Sequence, residues 1–266
     1  MNNSTVNSSR RNVIVRGAAL IGAGIGGSML SPLMTGCETG KLPAQKTGQS
    51  KYMKYKDRLD RCFSAVLQDV MDHMNVRAQC MEPEIKPLLP TMKTWGEAVT
   101  IYIEEVTEIP EKPFQMEMEL IDDSIEGQII VAQCNAHKLS AFWGGLLTNA
   151  AVGHKLHGVI IDGGARDYNE IVELGFPTFC AGLSPYDSLG RMDGKKRDIP
   201  VECGGVRVCP GDLIYGDVDG VVVVPQDMVD EVVAKAWEKV QAESTVREEL
   251  RSGASVVETF KKHGVL

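Results

Sequence analysis

Five short apolar runs of β type, separated by stretches with helical spacing, restrict this chain to an α/β fold. The runs are residues 98–106 (AVTIYIEEV), 128–134 (QIIVAQC), 158–162 (GVIID), 177–180 (PTFC) and 220–225 (GVVVVP). Between and around them, residues 57–74 set Leu59, Cys62, Phe63, Val66, Leu67, Val70 and Met74 mostly on one helical face. Residues 146–154 and 169–174 read as shorter helices, and 226–249 as a long amphipathic one. Residues 201–208 read as one further strand. Extra strands at both ends of the strand–helix–strand order predict a mixed sheet flanked by helices in a single domain. No internal repeat is visible.

The third run ends in Asp162-Gly163-Gly164-Ala165-Arg166-Asp167 and precedes a helix. In open α/β sheets ligands bind beyond the carboxyl ends of strands. An arginine there can grip a carboxylate with two hydrogen bonds, and an aspartate can hold a hard cation. The same residues also suit a tight turn with an Arg–Asp surface pair, and both readings stand. Upstream, Gly144-Gly145-Leu146-Leu147-Thr148-Asn149 opens a helix with glycines. The unpaired N–H groups of a helix start form an anion site. Glycines there serve close packing equally well.

Charge divides the chain. Of 266 residues, 28 are Lys or Arg and 36 are Asp or Glu, a formal charge of −8. Residues 1–56 hold eight of the bases and one acid, so they carry +7 and the remainder −15. With 43% apolar and 24% charged residues, a disordered chain, a collagen-like fibre and a multi-span membrane protein are excluded. Net acidity speaks against a nucleic-acid partner. The basic segment reads as an address. Arg10-Arg11 precede an uncharged stretch over 17–36 that ends at Gly36-Cys37. This order resembles a twin-arginine export signal with a lipobox, whose cleavage leaves a lipid-bearing Cys37. Residues 38–56 read as a Lys-rich tether suited to an anionic membrane surface. The expected organisation is therefore export signal 1–37, tether 38–56 and one domain over 57–266, in an exported, membrane-anchored lipoprotein. Gly22-Ala23-Gly24-Ile25-Gly26-Gly27 has dinucleotide-site spacing but lacks the preceding strand such a site requires.

Residues 142–185 (FWGGLLTNAAVGHKLHGVIIDGGARDYNEIVELGFPTFCAGLSP) resemble the RraA-like family, which includes the 4-hydroxy-4-methyl-2-oxoglutarate aldolases. Residues 201–225 (VECGGVRVCPGDLIYGDVDGVVVVP) and Trp95-Gly96-Glu97-Ala98-Val99-Thr100 resemble it too, and the likeness runs from about residue 57 to the C-terminus. The resemblance implies a swivelling β/β/α-type domain, assembled as a trimer or hexamer with sites between subunits. It implies metal-dependent cleavage of 4-hydroxy-2-oxo acids to pyruvate, with oxaloacetate decarboxylation as a side activity. Arg166 would bind the pyruvyl carboxylate and keto oxygen, and Asp167 would ligate Mg²⁺ or Mn²⁺. The amides of Leu146 and Leu147 would hold the carboxylate. Glu243, or failing it Glu248, would reach the metal's water shell from a neighbouring subunit. Resembling aldolases carry an acid 21 residues before the arginine, where this chain has Gly145. That departure keeps two alternatives in view: a non-catalytic binding or regulatory protein, and a lyase or isomerase acting on another sugar-derived acid.

The remaining features have plainer readings. His154 and His157 share a helical face but lack a third ligand nearby, and are expected at a solvent-facing helix end. Asp212, Asp217 and Asp219 are expected turn residues. Residues 187–197 read as a charged surface loop, or else as a lid or partner contact. Apart from Cys37, the six cysteines include no C-x-x-C pair, and mostly free thiols are expected.

Overall fold

In the computed structural model the described residues are 47–135 and 140–264. The expected export signal with Cys37, and residues 38–46 of the expected tether, lie outside them. The described residues cluster as one compact unit. A 3-10 helix (Lys51–Tyr55) and α1 (Lys56–Leu59) lead to α2 (Ser64–His73) and the short β1 (Lys86–Pro87). Then come β2 (Thr94–Glu105), α3 (Gln115–Asp123), β3 (Gln128–Asn135), β4 (Ala141–Trp143), α4 (Gly145–Gly153), β5 (Gly158–Ala165), α5 (Tyr168–Glu173) and β6 (Thr178–Leu183). The C-terminal part adds β7 (Met192–Arg197), β8 (Val201–Cys203), β9 (Val206–Val208), β10 (Leu213–Gly216), β11 (Val221–Val224), α6 (Val229–Arg251) and α7 (Val256–His263).

Nine strands form one mixed sheet along the path β1-β6-β5-β3-β2-β10-β11, with β4 joined to β5 and β7 to β2. Its centre is parallel: β2 pairs with β3, β3 with β5, and β5 with β6. Side chains alternate across it, as the two-residue period of a strand demands. Val99, Ile101 and Ile103 of β2, Ile130 and Ala132 of β3, and Val159 and Ile161 of β5 meet α3, α4 and α5 on one face. Ala98, Ile129, Val131 and Ile160 point to the other face, where Val221, Val223 and the β8–β9 pair enclose a second core. The sheet is thus nearly closed around that core. A third cluster joins α2 and α6 to Trp95, Tyr215, Val222 and Val224. This is the α/β single domain with a mixed sheet that the residue pattern predicts.

Several elements differ from expectation. The tether is already structured from Gln49: Ser50 N–H donates to Glu126 O at 2.8 Å, and Tyr52 is buried with its hydroxyl on Gly211 O at 2.6 Å. The helix expected over 57–74 breaks between α1 and α2. Carbonyls in the break find other donors: Lys93 Nζ serves Asp60 O at 2.7 Å and Cys62 O at 2.8 Å, and the Tyr215 hydroxyl also donates to Cys62 O. The single strand expected over 201–208 is a hairpin, because Gly204 and Gly205 both take positive φ (53° and 72°) as a tight two-residue turn requires. Residues 192–197, expected as loop, form β7, an edge strand antiparallel to β2. The expected turn aspartates are turn residues. Asp212 accepts the N–H groups of Cys209 and Gln226 at 2.8 and 3.0 Å, and Asp217 caps α2 through Ser64 N and Oγ at 2.8 and 2.7 Å. No disulfide joins the six described cysteines. Burial pushes the Cys62 thiol up to about 11 and raises Cys134, Cys180 and Cys203 as well. These thiols stay protonated and unreactive at neutral pH.

Candidate active site

Three parallel strands deliver the site. The carboxyl ends of β4, β5 and β6 lie side by side, and the chain leaves them as Trp143-Gly144, Ala165-Arg166 and Leu183-Ser184. The pairing of β5 shifts register between Ile161 and Gly164, so its last residues follow β4 instead of β3. A Cβ on Gly164 would stand 2.8 Å from Ser140 O, which makes glycine necessary for this close approach. Arg166 N–H then donates to Trp143 O at 2.9 Å, and Ser184 N–H to Ala165 O at 2.9 Å. Beyond these ends opens a cleft of about 320 Å³ lined by Ala165, Arg166, Asp167, Tyr168, Leu183, Ser184 and Pro185.

Asp167 sits in the left-handed region at φ 58°, ψ 39°. Aspartate is among the few side chains that tolerate it. The turn aims its carboxylate away from its own helix α5 and back at α4, where Oδ2 accepts the Gly145 N–H at 2.9 Å. The amides of Leu146 and Leu147 follow in the same first turn, which has no carbonyls of its own to pair them. The positive end of the helix dipole therefore opens on the arginine and aspartate. Arg166 lies between two acids: Nε is 3.7 Å from Asp167 Oδ2, and Nη2 is 3.4 Å from Asp187 Oδ1. From α5, Glu170 reaches over Gly145. Its Oε1 accepts from Asn149 Nδ2 at 2.8 Å, and a Cβ built on Gly145 would overlap its Oε2.

The predicted residues Gly145, Leu146, Leu147, Arg166 and Asp167 thus come together. Glu243 does not join them within one chain. On α6 it pairs with Arg247 at 2.5 Å and Lys239 at 3.9 Å. Among the described residues no three His, Cys, Asp or Glu side chains gather into one metal-ligating group. The two histidines diverge: His157 Nδ1 bonds Trp95 O at 2.8 Å and its ring meets the Trp95 ring edge-on, whereas His154 Nε2 lies 3.5 Å from Asp122. Lys155, the lysine nearest these motifs in sequence, is tied to Glu126 at 3.4 Å. Asp187 and Glu170 were not expected at the site.

A family model described as "RraA-like: Aldolase/RraA" matches residues 64–223. The chain belongs to the RraA-like family. The match runs from α2 into β11 and contains every residue of the cleft. The chain is 30% identical over 200 residues to Protein DlpA of Legionella pneumophila, covering 75% of this chain and 32% of that one. It is 35% identical over 126 residues to a Halalkalibacterium halodurans protein named "Putative 4-hydroxy-4-methyl-2-oxoglutarate aldolase", covering 46% of this chain and 57% of that one. It therefore spans about a third of the first relative and little over half of the second. Among solved structures it resembles Streptomyces coelicolor RraAS2, described as an unusual member of the RNase ES inhibitor RraA protein family. There the identity is 26%, the TM-score 0.65 and the coverage 75% of this chain and 98% of that one.

Proposed function

We propose that this protein is a divalent-metal-dependent carbon–carbon lyase that releases pyruvate from 4-hydroxy-2-oxo acids, with oxaloacetate decarboxylation as a second outcome of the same chemistry. The observation that carries the reading is that Arg166 and Asp167 line one cleft, with the first turn of α4 hydrogen-bonded to Asp167 through the Gly145 N–H. The aldolase name of a relative supports it. In this scheme the Leu146 and Leu147 amides hold the substrate carboxylate, and the Arg166 guanidinium bonds the keto oxygen. As the 4-hydroxyl gives up its proton to water and C4 becomes a carbonyl, the electron pair of the C3–C4 bond stays on the pyruvate part as an enolate, negative charge grows on that oxygen, and C3 then takes up a proton from water to give pyruvate. A donor already aimed there stabilises the transition state without reorganising.

The donor set fits a hard divalent cation. Arg166 supplies one positive charge against three neighbouring carboxylates, Asp167, Glu170 and Asp187. That surplus would repel an anionic acid unless a cation balances it. Asp167 is half exposed at the cleft, and Mg²⁺ or Mn²⁺ needs only one or two carboxylates besides water and substrate. Such an ion polarises a carbonyl oxygen when bound. In the proposed trimer or hexamer, Glu243 of a second copy completes the surroundings. Leu146, Leu183 and Tyr186, 84%, 56% and 51% exposed around the cleft, give a neighbouring copy an apolar surface to cover. The test is pyruvate release from 4-hydroxy-2-oxo acids with Mg²⁺ or Mn²⁺, alongside sedimentation of the protein. Metal-dependent turnover by three or six copies is expected. Metal-independent turnover, or none across a broad acid panel, rejects the reading.

A non-catalytic regulatory role is the second reading, favoured by the likeness to an RNase-inhibitor relative and by Gly145. Calorimetry separates the two, because the lyase requires metal for oxalate binding and a plain acid receptor does not. We further propose that the domain works outside the cytoplasm on a lipid anchor at Cys37. The expected mature N-terminus by mass spectrometry is a lipid-modified Cys37. An unprocessed Met1 overturns the anchor and leaves the lyase reading intact.

A further inference from the structure

The side chain that fills the space beside Gly145 is Glu170. A Cβ on residue 145 would overlap Glu170 Oε2 and stand within 3.1 Å of Oε1, so this carboxylate lies where a side chain on residue 145 would begin. Gly145 is buried even though it opens a surface helix, because Glu170 covers it. The placement is held at one end only. Oε1 accepts from Asn149 Nδ2 at 2.8 Å, while Oε2 accepts no hydrogen bond among the described residues. Asn149 is itself fixed, since its Nδ2 also donates to Gly145 O at 2.9 Å. Asp167 approaches the same residue from the N–H side, with Oδ2 2.9 Å from Gly145 N. Two carboxylates of α5 and its N-cap thus flank one glycine at the start of α4, and each leaves an oxygen unused by that contact. No arginine or lysine neutralises Glu170 among the described residues, whereas Asp167 and Asp187 both lie against Arg166.

We propose that Glu170 is a cation-binding residue of this site, supplying from α5 the acidic group that residue 145 does not carry, and that residue 145 is glycine to make room for it. The inference rests on the metal-dependent reading above. An unpaired carboxylate held against a helix N-terminus beside a second carboxylate offers hard oxygen donors to a divalent ion. The ion in turn balances the negative charge that Arg166 leaves uncompensated. In the assembled protein Glu170 and Asp167 act together from one chain.

Calorimetric titration of the full-length protein with Mn²⁺, with and without oxalate, tests this without recourse to turnover. Glu170→Ala should raise the Mn²⁺ dissociation constant about 10–100-fold, the usual effect of losing a carboxylate next to a bound metal. Glu170→Gln keeps shape and the Asn149 contact and should weaken binding to the same degree, which excludes a folding defect as the cause. The exchange Glu170→Ala with Gly145→Asp moves the acid across the shared space and should bring the constant back to within about threefold of the wild type. Unchanged Mn²⁺ affinity in both single variants overturns the proposal, as does weakening that the exchange fails to repair. A wild type that binds no Mn²⁺ with or without oxalate overturns the metal-dependent reading itself, and that result is distinct from a metal-binding wild type indifferent to Glu170.

Discussion

Arg166→Ala is expected to lower kcat for pyruvate release about 10²–10³-fold while leaving the unfolding midpoint nearly unchanged. The two halves of this expectation have separate causes. The guanidinium is about a third exposed, and its contacts with Asp167 and Asp187 are long, at 3.7 and 3.4 Å. Partly exposed ion pairs of this kind contribute roughly 0–1 kcal/mol. The backbone N–H of Arg166, which ties β5 to β4 through Trp143 O, survives the substitution. The loss must therefore appear in rate. Removing one preorganised donor from a developing oxyanion costs about 2.7–4 kcal/mol of transition-state stabilisation. Arg166→Lys keeps the charge but not the planar fork, and should fall between the two. Because the interaction strengthens as the bond breaks, the fall should be in kcat more than in KM. Steady-state kinetics beside a thermal melt read both quantities. Full kcat with a raised KM would reduce Arg166 to a substrate anchor.

How far the sequence exposes this site depends on what each residue answers to. Arg166 and Asp167 stand out because an apolar strand delivers them between glycines, and a strand's carboxyl end is a place of known meaning in a sheet. The central strands are legible for the same reason: being buried on both faces, they appear as apolar runs. The edge strand β7 is not legible. It pairs on one side only and carries Lys195 and Lys196, both exposed, which protect an edge from further pairing but look like loop in one dimension. The boundary at residue 57 is displaced because a lysine-rich stretch hides one anchor, Tyr52, whose burial depends on Gly211 far along the chain. Gly145 is the instructive case. As a letter it reads as a missing acid. In the fold the space is occupied by Glu170, 25 residues later, and no local pattern reveals that substitution.

Trp143→Ala is expected to destabilise the domain by about 3–5 kcal/mol, the range for removing a large buried aromatic side chain. Trp143 is 1% exposed and stacks on Phe176, with ring centroids 6.2 Å apart and planes 14° apart. It also joins the core to the site. Nε1 donates to Thr148 Oγ1 at 2.8 Å, and that hydroxyl donates to Gly144 O at 2.9 Å, fixing the first turn of α4. Its carbonyl receives Arg166 N–H on the other side. Truncation should therefore leave a cavity beneath α4 and loosen the very amides proposed to hold the substrate carboxylate. For a domain of this size the loss corresponds to a fall in melting temperature of roughly 10 °C. Denaturant unfolding followed by far-UV circular dichroism measures it directly. Trp143→Phe retains most of the stacked surface but not the indole N–H, and should recover more than half of the stability. The two variants thus separate packing from the hydrogen-bonded link. If Trp143→Ala costs under 1 kcal/mol, the ends of β4 and β5 are held together by their backbone pairing alone, and the site does not depend on the aromatic cluster beneath it.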